Sequence, residues 1–181
     1  MTRWVPLRNP DRMEWTGARY ADQPTVEVQT WVDAPPEQVW PLVSDPGLMP
    51  DLSTELQRVE WVDGATGPQT GARFRGYSSH AAMGEWSTVS VVSQCAAPAV
   101  FAWDVGDPDV PASSWRFTLE PADGGTRITQ WMRMGPGRSG TNIAIDAMPD
   151  KEQKIVFVRL REFETAMTST LAAIKQRAEQ G

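Results

Sequence analysis

A regular spacing of apolar residues near the end of the sequence constrains the fold most. Successive apolar side chains lie three or four residues apart, which is the repeat of one face of an α-helix. They are Val156, Leu160, Phe163, Met167, Leu171, Ile174 and Ala178. The pattern predicts one long amphipathic helix, which Pro149 and Asp150 begin, with Asp150 as its N-cap and Gln153 completing a capping box.

The middle of the sequence has a different repeat, in which apolar and polar residues alternate as they do in half-buried strands. The first predicted strand is Val26–Ala34. Six further strands are predicted at Leu56–Val62, Gly71–Ser79, Trp86–Gln94, Ala99–Val105, Ser114–Glu120 and Thr126–Met134. Short loops join these six, and short loops favour antiparallel neighbours.

Two short helices are predicted between the first strand and the second. Pro35 and Pro36 suit a helix start, because proline loses no hydrogen bond in the first turn. The helix Glu37–Ser44 follows and ends at Asp45-Pro46-Gly47. Leu48–Ser53 forms a second, shorter helical turn.

Composition excludes several classes of function. The 181 residues suit one domain, and the net charge of −6 argues against a nucleic-acid-binding surface, which needs a basic patch. Cys95 is the only cysteine, so there is no internal disulfide, and His80 is the only histidine, so there is no histidine-rich metal site. We expect neither a metal nor a cofactor, and a homodimer is left open.

The apolar runs of the sequence and the composition of its first residues indicate where the protein is located in the cell. No apolar run reaches the roughly 18 residues that a membrane helix needs, and the first residues lack the apolar core of a secretory signal. We therefore expect a cytoplasmic protein that is not inserted in a membrane. Residues 1–25 are interpreted as an N-terminal arm that packs on a single domain, residues 26–181, with Trp4 and Trp15 as anchors.

Several stretches resemble one superfamily in the order in which they occur. They are VDAPPEQVWPLVSDP, FAW, SWRFTLEP, DGGTRITQ and KIVFVRLREFETAMTSTLAAIK. Between residues 26 and 178 the sequence resembles the START-like (SRPBCC, helix-grip) superfamily, and within it the polyketide cyclase/dehydrase and lipid-transport branch.

The resemblance implies an α+β helix-grip fold. In that fold a curved seven-stranded antiparallel sheet surrounds the long C-terminal helix, and the two short helices close one end. It also implies a cavity between sheet and helix for an apolar or aromatic molecule. Trp40 would lie at the floor or rim of this cavity, or would instead be a core anchor under the sheet.

Strand alternation assigns side chains to the face that lies toward the helix. Trp115 and Phe117 share one face of their strand, and Trp103 lies on the apolar face of the preceding one. In Trp86–Gln94 the phase that includes Val91 is expected to face inward. With the helix positions added, the candidate ligand-binding residues are Phe74, Ser78, Val91, Trp103, Trp115, Phe117, Gln130, Met132, Phe163 and Met167.

Two residues are candidates for catalysis. Arg127 and Arg133 cannot lie unpaired in an apolar hollow, so Gln130 is predicted to point inward and Trp131 outward. A buried amide suits a ligand carbonyl or phenol, although backbone or water would also satisfy it. His80 continues the inward phase of its strand and could transfer protons, unless it is a solvated loop histidine.

The leading hypothesis is that the protein binds a hydrophobic, aromatic or polyketide-like molecule and promotes its cyclisation or dehydration by shape and a few polar groups. Similar aromatase/cyclases carry an inward arginine on the strand matching Trp86–Gln94. This strand has none, with Val91 as the expected equivalent, which argues against aldol-type aromatisation.

Two other functions are kept. One is a non-catalytic carrier or sensor of a hydrophobic ligand, with the segment GPGRSGTNIAIDAMP as its gate. The other, less favoured, is a protein-interaction module that uses Trp31, Trp61 and Trp131 as outward-facing residues. The sequence leaves open whether the protein is an enzyme.

Overall fold

Seven antiparallel strands form one sheet in the order β1-β7-β6-β5-β4-β3-β2. The structure, a computed structural model, describes residues 13–180. The strands are β1 Thr25–Val32, β2 Leu56–Val62, β3 Arg73–His80, β4 Gly84–Ala96, β5 Val100–Val105, β6 Ser113–Ala122 and β7 Gly125–Met134. The helices are α1 Pro36–Ser44, α2 Met49–Leu52, α3 Gly140–Ala147 and α4 Glu152–Gln180. The α+β helix-grip prediction is confirmed.

The long helix α4 covers one face of the sheet unevenly. Its closest approach is to β1, with fewer contacts to β7, and it also packs on the short helices α1 and α2. Val156, Leu171 and Ile174 are almost completely buried on its apolar face. Because α4 is close to one edge of the sheet and not to the middle strands, space remains between them.

The start of α4 differs from the prediction. Asp150 is not its N-cap, since a single 3-10 turn, Pro149–Lys151, precedes the first residue Glu152. Gln153 does not complete a capping box but donates from Nε2 to the carbonyl of Gly17 at 2.7 Å. The Gln153 side chain therefore binds the N-terminal arm and not the first turn of α4, where the sequence spacing predicted it.

The described part of the arm lies along α4. The Trp15 ring meets Phe157 edge-on with centroids 5.0 Å apart, and the backbone N–H of Met13 donates to Glu164 Oε2 at 3.3 Å. Tyr20 is buried, and its hydroxyl donates to the carbonyl of Gly137 at 2.6 Å. Residues 1–12, with the expected anchor Trp4, lie outside the described residues.

The short helices α1 and α2 form where the proline pattern predicts them. Val39 and Val43 of α1 are fully buried, and the Trp40 ring meets Phe101 edge-on at 6.5 Å. Trp40 therefore packs as a core anchor under the sheet. Met49 of α2 is buried as well and reaches the hollow beside α4.

A β-bulge in β2 reverses the expected orientation of Trp61. The register shifts between Leu56 and Arg58, so Trp61 lies opposite Phe74 on the inner face, with ring centroids 5.8 Å apart. The extra residue of a bulge changes the side-chain phase, which simple alternation does not anticipate. The prediction that Trp61 faces outward is wrong, whereas Trp31 is exposed.

The β6–β7 hairpin places two adjacent glycines under different constraints. A Cβ on Gly125 would lie 2.2 Å from the Val32 carbonyl oxygen, whereas Gly124 has open space and only a positive φ of 80°. We expect Gly125→Ala to lower the free energy of unfolding by about 1–3 kcal/mol, because backbone must move. Gly124→Ala should cost roughly 1 kcal/mol through backbone strain alone. Urea denaturation measures both, and equal losses would contradict the close approach.

Candidate ligand-binding cavity

A cavity of about 780 Å³ lies between the sheet and α4. Strands β3 to β7 provide one wall, α4 the opposite wall, and α2 one end. Its aromatic lining residues are Phe74, Trp86, Trp103, Trp115, Phe117 and Phe163. The volume is in the range of small-molecule sites, which are mostly apolar with few polar groups.

The aromatic wall is organised around Trp103. Its ring stacks on Trp115 with centroids 6.1 Å apart and an interplanar angle of 6°. Phe74 and Phe117 lie 6.3 and 6.0 Å from the same ring, and Phe163 of α4 meets Trp115 edge-on at 5.4 Å. Trp115 Nε1 donates to Ser113 Oγ at 2.9 Å, which satisfies its polar atom. These contacts place Trp103 at the centre of a continuous aromatic cluster on the cavity wall.

Nine of the ten candidate ligand-binding residues line this cavity. The exception is Val91, which is only half-buried and lies on the opposite phase of β4 from Trp86, Thr88 and Ser90. The inward phase expected for β4 is therefore wrong. Valine and serine occupy both faces of this strand, so these residue types do not distinguish the faces, whereas the register with Gly76 of β3 does. That the nine contact a ligand stays a prediction.

Gln130 points inward and Trp131 outward, as the arginine argument predicts. Gln130 lines the cavity and is 6% exposed, while the Arg116 guanidinium lies 4.9 Å from the Trp131 ring on the outer face. The Gln130 Oε1 is buried and has no hydrogen-bond partner among residues 13–180. An amide left unpaired on an apolar wall is costly unless something else binds it.

His80 does not lie in the cavity with Gln130. It is the last residue of β3, paired with Gly84 across the β3–β4 turn, and it is not among the residues that line the cavity. Its Nε2 is 3.4 Å from Glu162 Oε2, and its Nδ1 accepts from the Ala82 N–H at 3.1 Å. His80 keeps the phase of Phe74 and Ser78 on the side of β3 that faces α4, but it lines a neighbouring outer groove and not the cavity. The outer groove is lined by Thr54, Ser79, His80, Ala81, Arg161 and Thr165 among others.

Sequence reasoning missed a charge cluster at the cavity wall, formed by the buried Arg159 and the partly exposed Glu55 and Glu162. Arg159 is buried; its Nη2 lies 2.7 Å from Glu55 Oε1, and its Nη1 lies 2.9 Å from both Glu55 Oε2 and Glu162 Oε2. Burial alone would lower the pKa of Arg159, but the hydrogen bonds that it donates to the two carboxylates raise its pKa above the ordinary value. A signal was present, since Arg159 falls between Val156 and Phe163 on the apolar face of α4.

Helix α3 was also missed, and it borders the cavity mouth. Ser139 caps it, accepting from the Thr141 N–H at 3.3 Å. Ile143 lines the mouth yet is 73% exposed. A Cβ on Gly140 would lie 3.3 Å from Met83 Sδ in the β3–β4 turn, so the two segments meet across the opening. The segment expected to be a glycine-rich gate is therefore partly a helix.

Two further findings concern the described part of the chain. Within residues 13–180 no group of histidine, cysteine, aspartate and glutamate side chains could hold a metal ion. None of the helices described there is long and apolar enough to span a membrane.

The sheet, the long helix and the hollow between them define a helix-grip protein with a hydrophobic ligand-binding fold. The sequence profile of the family described as polyketide cyclase/dehydrase and lipid transport matches residues 23–179. The chain belongs to this family. A search of curated proteins found no match.

Solved structures agree with this placement. A polyketide-cyclase-like protein from Corynebacterium glutamicum is 30% identical with a TM-score of 0.61, and the match covers 86% of this chain and 91% of that chain. The di-domain ARO/CYC BexL from the BE-7585A biosynthetic pathway has a TM-score of 0.64 at 17% identity, over 87% of this chain and 50% of that chain. A Nitrosomonas europaea protein has a TM-score of 0.60 at 14% identity, over 86% and 94%. The last two likenesses show the fold alone.

Proposed function

We propose that this protein binds a hydrophobic, aromatic or polyketide-like small molecule in its internal cavity and promotes the cyclisation or dehydration of that molecule. The observation that carries the proposal is an aromatic cavity of about 780 Å³ whose wall includes the Gln130 amide oxygen, which has no hydrogen-bond partner among the described residues. In this proposal the flat rings of the ligand stack on Trp103 and Trp115, and a ligand hydroxyl or carbonyl forms a hydrogen bond with the Gln130 amide. The similarity to polyketide-cyclase-like proteins supports the same ligand class.

Confinement is the source of catalysis in this proposal. Among the described residues of the cavity lining, Glu55 is the one carboxylate, and it is hydrogen-bonded to Arg159. His80 lies in the outer groove instead. A flexible ligand that is folded against the cavity wall reacts faster, because its reacting groups are already held close together. In the best intramolecular systems this effect lowers the activation free energy by up to about 7–11 kcal/mol. Gln130 then polarises a carbonyl or orients a hydroxyl.

Gln130→Leu tests the polar anchor. We expect it to weaken binding of 9-hydroxyphenanthrene about threefold to tenfold, because one buried hydrogen bond is worth roughly 0.5–1.5 kcal/mol. Phenanthrene, which lacks the hydroxyl, should bind equally well or better. Displacement of the neutral fluorophore N-phenyl-1-naphthylamine measures both affinities.

The matched control is Gln29→Leu, on the exposed outer side of β1. It should leave both affinities unchanged. An equal loss for the two ligands in Gln130→Leu would contradict a hydrogen bond to the hydroxyl. Failure of wild-type protein to bind the fluorophore or either ligand would contradict the proposed function itself.

A carrier or sensor is the second candidate, favoured by one observation. The cavity lining, as far as the structure describes it, offers no proton-transfer group that is free of an ion pair. A carrier needs only the cavity and an opening beside α3. Incubation with a linear poly-β-ketone distinguishes the two functions: faster formation of a cyclised product supports the enzyme, and recovery of unchanged ligand supports the carrier.

A further inference from the structure

We infer that the cavity selects electrically neutral hydrophobic molecules and excludes those that carry a carboxylate. The inference rests on the proposed function and names the class of ligand within it. It follows from the charged groups of the cavity wall. Among the described lining residues these are Glu55, Arg138 and Arg159, and each cation is already paired.

Arg159 is the deepest of these charges. Its guanidinium contacts two carboxylates, Glu55 and Glu162, through Nη1 and Nη2. Its Nε is buried and has no hydrogen-bond partner among the described residues, and its carbon lies 4.2 Å from the centre of the Phe163 ring. With one positive and two negative charges, the cluster has a formal net charge of −1. An incoming carboxylate would therefore meet a guanidinium that is more than neutralised.

Arg138 offers no substitute cation. It is paired with Asp146 of α3 at the exposed cavity mouth, where water screens both charges. The rest of the cavity wall is formed by aromatic, aliphatic and small polar side chains, with Gln130 as the buried amide. Nothing deep in the described lining balances the charge of an anion.

Transfer of an anion from water into this cavity therefore has a large free-energy cost. Moving an ionised carboxylate out of water without a pairing cation is strongly unfavourable, whereas an ester or phenol of the same size pays far less. The arginine is therefore not an anion receptor. Glu55 and Glu162 cancel its charge, and the cavity accepts the neutral form of a ligand.

The experiment uses two competitors that differ in charge. Methyl anthracene-2-carboxylate and anthracene-2-carboxylate each displace N-phenyl-1-naphthylamine from wild-type protein at neutral pH. We expect the ester to bind at least about tenfold more tightly than the acid. Because an anion is also better solvated in water, this difference alone does not implicate the cluster.

The decisive variant is Glu55→Gln/Glu162→Gln, which leaves Arg159 with a net positive charge. We expect it to bind the carboxylate at least about tenfold more tightly than wild type, with the ester changed by less than about threefold. Glu27→Gln/Glu120→Gln, which removes two carboxylates from exposed positions, should change neither affinity. Circular dichroism establishes that each variant folds.

If the double variant does not fold, Glu162→Gln replaces it, because this side chain is 41% exposed. It should raise carboxylate affinity about threefold or more. Unchanged carboxylate affinity in a folded variant, or equal binding of acid and ester to wild type, overturns the inference alone. Absence of fluorophore and ester binding overturns the proposed function as well.

Discussion

Trp103→Ala is expected to lower the free energy of unfolding by about 3–5 kcal/mol, the usual cost of truncating a large buried aromatic side chain. The Trp103 ring contacts Phe74, Phe101, Trp115 and Phe117, so its loss removes the centre of the aromatic wall. Ligand affinity should fall as well, because the stacking surface is lost. Urea denaturation and fluorophore binding measure the two effects.

Trp31→Ala is the matched control for this prediction. Trp31 is exposed on β1, where its Nε1 donates to the Ala122 carbonyl at 2.8 Å. Its replacement should cost about 1 kcal/mol and leave ligand affinity unchanged. Trp103→Phe, which keeps an aromatic ring, should retain a folded protein with weakened binding. Unchanged binding in Trp103→Ala would show that the ligand site lies elsewhere.

Thr88→Trp is expected to reduce ligand affinity at least about tenfold by occupying the cavity. Thr88 lines the cavity and pairs with Gly76 of β3. Because the new ring enters existing space, stability should change by less than about 2 kcal/mol. Titration with N-phenyl-1-naphthylamine measures the affinity.

Ser87→Trp adds the same side chain one residue earlier, on the exposed outer face of β4. It should bind the fluorophore as wild type does. This pair also tests the strand phase directly. If Ser87→Trp blocked binding and Thr88→Trp did not, β4 would have the phase that includes Val91 on its inner side.

The outcomes in strands β7, β4 and β2 show when the alternation of apolar and polar residues can assign the inner face of a strand. In β7 one phase carries two arginines and the other carries Gln130 and Met132, so the cost of burying charge selects the inner face. In β4 both phases carry valine and serine, and nothing in the sequence chooses between them. In β2 a bulge exchanges the phases after Leu56, and a bulge depends on pairing with β3.

The missed elements have similar explanations. Helix α3 has only eight residues and follows a glycine-rich stretch, so its periodicity is too short to recognise. Arg159 interrupts the apolar face of α4, where an arginine normally marks a surface position. Its partner Glu55 is 104 residues away in the sequence. Only the fold brings the carboxylate to the guanidinium and makes the arginine compatible with burial.

By itself the sequence determined the type and order of seven strands, two short helices and a long terminal helix, because hydrophobic periodicity and proline position are local properties. It also determined that aromatic side chains and Gln130 share the inner face. The tertiary structure alone decided that α4 packs closest to β1, which leaves a hollow beside the middle strands. It also placed His80 outside this hollow and gave the buried Arg159 its carboxylate partners, since distances between elements depend on packing across the whole sheet.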